Sequence, residues 1–476
     1  MEFVRRIEDA TDLLESIVEN RARLAELEPE LRRRFLTAAG RASKPDNLAR
    51  RQLNREHRRR EKIDRREHDR ALLHRSEIRK LRSNPIFETP RRQGVLPPAP
   101  ISIGSVHEAR VCYVCHNRYT AIHWFYDQMC LSCGDFNHKK RSQSADLSGR
   151  VALITGARVK IGYQAAIMLL RAGAEVLVVT RFPVDAARRY AAEDDFDQWS
   201  HRLKLYGVDL RHTPSVEALC AKVLAENDRL DFLINNACQT VRRPPAFYQH
   251  LMDRELSDGL DPAGQALIAW QGSDPRTLSA ALSQVPLLPD DHLDPSALFP
   301  ANRLDADLQQ VDLRSVNSWR LRMDCVPTVE LLEVHLVNAI APFVLNARLK
   351  PLMSAVSSCD KHIVNVSAVE GQFYRTLKSD KHPHTNMAKA ALNMMTRTSA
   401  IDYIESGIHM NSVDTGWVSD EDPIDHAERK RELHDFSPPV DIVDGAARIV
   451  DPIFSGLNSG QHIWGQFLKN YAVTDW

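Results

Sequence analysis

The chain has 476 residues, 43% hydrophobic and 26% charged, which is too long for one small domain and ordinary for a soluble globular protein. Its 63 Lys and Arg balance 63 Asp and Glu, so it is neither uniformly basic nor acidic, although residues 1–100 carry about 25 basic against about 17 acidic side chains. No apolar run approaches a membrane span, the N-terminal MEFVRRIEDATDLLESIVEN lacks the apolar core of a secretory signal, and a cytoplasmic location is the default expectation.

Residues 1–83 read as a helical, Arg-rich arm. Ile7, Ala10, Leu14, Ile17, Leu24 and Leu31 fall at three-and-four spacing, on one face of a helix or helical hairpin. Residues 50–82, RRQLNREHRRREKIDRREHDRALLHRSEIRKLR, read first as a solvated helix laced with i,i+4 ion pairs. A basic surface for nucleic acid or an acidic partner is the weaker alternative, and no aromatic residues interleave for base stacking. The Pro-rich segment 84–104, with NPIFETPRRQGVLPPAP, reads as a linker.

Residues 105–145 form a second part. Cys112-x-x-Cys115 and Cys130-x-x-Cys133, separated by fourteen residues, have the spacing of a four-thiolate zinc site. A closed set of four ligands leaves no position for water or substrate, so Zn²⁺ here is expected to be structural. A redox switch between the thiols is the minor alternative.

Residues 146–476 form the third part. GRVALITGARVKIGYQAAIMLLRAGAEVLVVTR runs from an apolar strand through a Gly-containing turn and a helix to a second strand ending at Arg181. That is a βαβ unit with a phosphate-binding turn, the start of an α/β, doubly wound parallel sheet. Gly156 and Gly162 flank the turn, and Lys160 occupies the position where a further Gly is expected. Asp209 follows a strand-like LKLYGVDL, and LDFLINNAC ends a buried strand at Asn235-Asn236-Ala237. Asn338 lies in a helical VELLEVHLVNAIAPFVL, KHIVNVSAVEG ends a strand at Ser367, and Lys389 follows in HPHTNMAKAALN.

These landmarks, in this order, resemble the short-chain dehydrogenase/reductase family over roughly residues 148–470. The resemblance implies a Rossmann-type fold, a nicotinamide dinucleotide and a small-molecule substrate. It places Thr155, Gly156, Ile161 and Gly162 at the phosphates, Asp209 and Leu210 at the adenine, and Asn236 and Ala237 beneath the cofactor. Asn338 would hold a relay water, Ser367 the substrate oxygen and Lys389 the nicotinamide ribose. Thr415 and Gly416 stand before a loop that covers the nicotinamide. NAD-specific members carry an acid at the end of the second strand. Here Thr180 and Arg181 stand there, with Arg158 and Lys160 in the first turn, which favours NADP(H) over NAD(H). The alternative for Arg181 is a solvent-facing pair with Asp185.

Two departures stand out. About a hundred residues separate Asn236 from Asn338, so an insertion at about 240–325 is expected beside the cleft, as a lid or docking surface. The Tyr expected four residues before Lys389 is Thr385, whose aliphatic hydroxyl is too short and too weakly acidic to replace a phenol. The enlarged loop before it offers Tyr374 first and His384 second as substitute acids. Two functions follow: an NADP(H)-dependent oxidoreductase with an altered proton donor, or a weak or inactive NADP(H)-binding scaffold. The scaffold would engage a protein partner through residues 1–100 or the insertion. A homo-oligomer is compatible with either.

Overall fold

The computed structural model describes residues 2–91, 102–256, 259–272, 278–292, 297–374 and 378–476. The chain divides into two units, residues 1–69 and 70–476. The first contains the helices Glu2–Glu19 and Pro29–Ser43 and the greater part of Asn47–His74, and none of its described residues is buried. The helix periodicity is therefore realised, but Ile7, Leu14 and Leu31 remain exposed.

The helical segment read as one arm is divided at Asp69. Leu72 and Leu73 pack on Val106 and Ile122, and Ile78 joins Cys112, Phe125, Tyr126 and Met129. Arg79 is buried and donates to Asp127 at 2.7 Å. Residues from 70 onward thus belong to the cysteine module, which contains β1 (Ser102–Val111), β2 (Arg118–His123) and α1 (Leu131–Arg141).

A nine-stranded sheet forms the centre of the second unit. Its strands are β3 (Val151–Thr155), β4 (Glu175–Thr180), β5 (Leu203–Gly207), β6 (Phe232–Asn235), β7 (Ile268–Trp270), β8 (Lys361–Ser367), β9 (Ile408–Asp414), β10 (Phe467–Lys469) and β11 (Ala472–Thr474). The spatial order is β11-β10-β9-β8-β6-β3-β4-β5-β7, parallel throughout except for β11. Every residue of VALIT in β3 is buried, as expected for a parallel strand covered on both faces. The strand order reverses between β3 and β6, which opens a crevice at the carboxyl ends of these strands.

Helices α2 (Lys160–Arg171) and α5 (Ile442–Ser459) cover one face, packing Ile167 and Leu170 with Ile449 and Ile453 on β3. The segment α3 (Thr328–Ser354) and helix α4 (Pro383–Ile404) cover the other, through Leu345, Leu349, Ala400 and Tyr403. By length and composition α3 would reach across a membrane, which corrects the expectation that no apolar segment is that long. In the fold it lies on the sheet, with Leu345 and Leu349 fully buried. The insertion adds β7 to the sheet edge and a small apolar cluster of Phe247, Tyr248, Leu251, Met252 and Phe299 around Phe182.

Candidate active site

The turn after β3 and the end of β6 are fastened as one piece. Thr155 Oγ1 accepts from the amides of Asn236 and Ala237 at 3.1 and 3.0 Å, and the Asn236 side chain donates to the Thr155 and Gly156 carbonyls. Gly156 has φ +70°, and a Cβ there would meet Ala237 Cα at 2.7 Å. At Gly162 a Cβ would collide with the Asn236 amide and the Gly156 carbonyl. Lys160 itself takes φ +56°, the left-handed conformation that the expected glycine would adopt without cost. Burial opposes its charge, but Glu421, Asp307 and Asp305 raise its pKa. Ile161 packs on the Gly445 position of α5.

At the end of β4, Thr180 Oγ1 accepts from the Phe182 amide, and no carboxylate stands in the position of an NAD-reading acid. Arg181 donates to the Tyr248 hydroxyl at 2.8 Å. Asp185 does not pair with it, being held by Arg158 at 2.6 Å and Arg189 at 2.7 Å. Arg158 is buried in that pair beneath Phe182, so its charge is already neutralised. Asp209 follows β5 and accepts from Arg211; burial would raise its pKa, but Arg211 and Arg181 hold it below the usual carboxylate range. Leu210 beside it is buried.

The second half of the site lies on β8, α3 and α4. Asn338 sits in a π-helical turn, Leu336–Ile340, a distortion frequent at functional positions. Its Oδ1 accepts from the Gln239 amide at 2.8 Å and its Nδ2 donates to the Gln239 carbonyl at 3.1 Å, tying α3 to the root of the insertion. Ser367 ends β8 in register with Asp414 of β9. Lys389 Nζ donates to the Val366 carbonyl at 2.8 Å. Ser367 Oγ and Thr385 Oγ1 are buried and, among the described residues, without hydrogen-bond partners. A ligand oxygen would satisfy such groups, whose desolvation is otherwise uncompensated.

Tyr374 is 94% exposed. His384, by contrast, is 1% exposed, and its Nε2 lies 3.3 Å from Glu330 Oε1 on α3. Glu330 also lines a cavity of about 410 Å³ within the insertion, bordered by Arg242, Leu298, Phe299 and Arg314. Neither the Arg181–Tyr248 bond nor the His384–Glu330 approach is visible in the sequence, because each joins segments far apart in the chain.

The four cysteines converge. Their Sγ atoms lie within 4.8 Å of one another, with Cys115 and Cys130 at 3.7 Å. A zinc–thiolate tetrahedron with bonds of about 2.3 Å has edges of about 3.8 Å. Cys112 Sγ accepts from the Cys130 amide, and all four thiols are free of disulfides. The donor set fits a metal ion.

The short chain dehydrogenase family model matches residues 150–256, and an enoyl-(acyl carrier protein) reductase model matches residues 322–438. The two matches leave residues 257–321, the greater part of the insertion, unmatched and cover both halves of the site. This chain belongs to the short-chain dehydrogenase/reductase family. Among dehydrogenases and reductases of known kind, it is 36% identical to a fatty acyl-CoA reductase of Acinetobacter baylyi over 98 residues, 21% of this chain and 32% of that one. It is 33% identical to human retinol dehydrogenase 13 over 95 residues, 20% of this chain and 28% of that one. An uncharacterized mimivirus protein, R665, is 30% identical over 377 residues, covering 76% of this chain and 74% of its own. A short-chain dehydrogenase of Burkholderia cenocepacia solved with NADP aligns at TM-score 0.44 and 18% identity, over 68% of this chain and 97% of that one.

Proposed function

We propose that this family member is an NADP(H)-dependent oxidoreductase acting on a carbonyl or alcohol carbon. The observation that carries the reading is the pair of buried, unpartnered hydroxyls of Ser367 and Thr385 beside Lys389. A scaffold gains nothing from leaving such groups desolvated, whereas a substrate oxygen satisfies them. The turn at Gly156 and Gly162 would receive the pyrophosphate, the Asn236–Ala237 floor would support the nicotinamide half, and Lys389 would hold its ribose. Arg181 suits a 2′-phosphate better than a 2′-hydroxyl, because a guanidinium gains most against a dianion. When bound, NADP(H) supplies or accepts the hydride at the substrate carbon.

Ser367 Oγ would donate to the substrate oxygen and hold it beside the ribose. His384, backed by Glu330, is the better candidate proton donor than Tyr374, because it is buried on the helix that carries Lys389. In the reduction direction the imidazole would deliver a proton towards that oxygen, and the Glu330 carboxylate would stabilise the cation during reprotonation. Asn338 would order the water that returns the proton. The four-thiolate site would hold Zn²⁺ in a structural role. Phe343 of α3 and Met387 and Met394 of α4 are exposed apolar residues that suit a second copy of the chain. Sedimentation of Phe343→Glu against the unaltered protein tests that pairing.

The deciding experiment is NADPH binding followed by loss of nicotinamide absorbance against a panel of aldehydes and ketones, with Lys389→Ala as control. Turnover lost in Lys389→Ala supports the reading. Tight binding without turnover across the panel supports the scaffold reading instead.

A further inference from the structure

The connection from β9 to α5, residues 415–441, is a loop that carries a helix over Ile424–His434 and is held by the cysteine module near both ends. We infer that the module is a metal-dependent clasp for this loop, with Tyr113 as its positioning residue. That the clasp thereby shapes the nicotinamide end of the cleft rests on the dinucleotide reading above.

The contact at the first end is specific. Tyr113 lies between Cys112 and Cys115, inside the first knuckle, and its hydroxyl accepts from the Trp417 amide at 2.9 Å. Gly416 has φ +82°, and a Cβ there would lie 3.2 Å from the Tyr113 hydroxyl and 3.2 Å from Val440. Loop and knuckle therefore approach closely, and a Cβ at position 416 would press on both neighbours. The Trp417 ring packs on Phe436 from the far side of the loop at 4.7 Å, so the two ends of the loop also touch each other.

The second end is gripped from beside the other knuckle. Gln128, two residues before Cys130, donates to the Ser437 carbonyl. Arg82 donates to the Ser437 hydroxyl at 2.8 Å and to the Val440 carbonyl at 2.6 Å, and Arg79 donates to Asp435 at 2.6 Å. The start of α5 continues the pattern, with Arg141 paired to Asp441 and Tyr126 donating to Asp444 at 2.6 Å. Just after Trp417 the insertion also holds the segment, through Asn317 to the Glu421 carbonyl at 2.8 Å and Arg320 to Asp422 at 3.2 Å.

Tyr113 and Gln128 belong to different Cys-x-x-Cys pairs. Their own backbones meet through the Tyr113 amide and the Gln128 carbonyl at 2.9 Å. The local core between the knuckles is small, chiefly Ile78, Phe125, Tyr126 and Met129 with Val440 of the loop itself. A core of that size depends on its ion, because metal binding supplies folding energy to small modules. Loss of the ion lets the first knuckle relax, which withdraws the Tyr113 hydroxyl from Trp417 and frees the start of the loop.

The test is hydrogen exchange by mass spectrometry on the full zinc-loaded chain without nucleotide, alongside NADPH affinity by fluorescence. Tyr113→Phe keeps the ring and all four thiols. It is expected to speed exchange in the peptide spanning Trp417 about five- to tenfold, the effect of one lost hydrogen bond, with zinc content and melting temperature unchanged. Stripping zinc with a chelator is expected to speed exchange around both 417 and 437 while β3 and β8 stay protected, and adding zinc back restores it. NADPH affinity falls in both cases. Unchanged exchange in residues 415–441 after either treatment overturns the clasp. So does equal loss of protection in β3 and β8, which would make the module a staple of the whole unit. A loop that responds to zinc in a protein that binds no NADPH upholds the clasp and overturns the dinucleotide reading.

Discussion

Arg181, at the end of β4, donates to the hydroxyl of Tyr248 at 2.8 Å and lies over its ring at 4.7 Å. This bond joins the end of β4, where the proposed dinucleotide would place its adenosine ribose, to the insertion. Burial pushes the Tyr248 phenol up, but Arg181, Arg211 and Arg243 outweigh it and hold the phenol below its ordinary value. Cationic groups therefore gather where a 2′-phosphate would sit. Arg181→Ala is expected to lower the preference for NADPH over NADH by about 10- to 100-fold, the scale of one hydrogen bond to a charged group. The check is the pair of dissociation constants. Equal weakening of both dinucleotides would show that Arg181 only supports the fold.

On the proposed reading Ser367 serves the substrate and Lys389 the cofactor, so their variants separate the two. Ser367→Ala is expected to lower kcat about 10²- to 10³-fold, as removal of one oxyanion donor does, with NADPH affinity unchanged. Lys389→Ala is expected to weaken NADPH binding as well, because its ammonium would grip the ribose. Steady-state kinetics beside a direct binding titration distinguishes the two. Identical losses in both parameters for both variants would argue for simple unfolding around the carboxyl end of β8.

Much of the site's frame was legible because short-range geometry demands particular residues. Gly156 and Gly162 are required by close backbone approach, and the paired Cys-x-x-Cys spacing brings four thiols within reach of one another. The apolar runs of β3, β4, β6 and β8 announced a parallel sheet for the same local reason. What the sequence left hidden depends on contacts between distant segments. Nothing near Tyr248 says that it meets Arg181, and nothing near Glu330 says that it faces His384. The end of the helical arm was hidden too. Leu72, Leu73 and Ile78 continue a helical pattern, yet they pack on the cysteine module. The π-turn at Asn338 leaves no trace in composition, since VNAI suits an ordinary helix equally well.

His384 and Tyr374 give opposite expectations for the proton donor. His384→Ala is expected to lower turnover about 10²- to 10⁴-fold, the span of general acid catalysis, and added imidazole should restore part of it. Tyr374→Phe should leave kcat within about twofold, because a side chain left in solvent supplies no oriented proton. Thr385→Val tests whether the orphaned hydroxyl contributes at all. A large loss in Tyr374→Phe with none in His384→Ala would reverse the assignment.

The last expectation concerns stability. His362 is fully buried at the amino end of β8, its Nε2 3.0 Å from His462 Nδ1, with the His409 ring 5.2 Å away. Burial, then repulsion from His409 and His462, drives its pKa well below the ordinary value of 6.5. The unfolded chain therefore binds a proton below pH 6.5 that the folded protein refuses. Stability from this group is present above pH 6.5 and is lost as the pH falls below it, by about 1.4 kcal/mol per pH unit. Glu255 acts in the opposite sense: burial raises its pKa from 4.5 to about 7, so its contribution is present below 4.5 and is lost as the pH rises through 7. The informative quantity is thus the difference in slope between the unaltered protein and His362→Gln. Melting temperatures between pH 7.5 and 5.5 should fall less steeply in the variant, and parallel slopes would rule out His362 as a source of acid sensitivity.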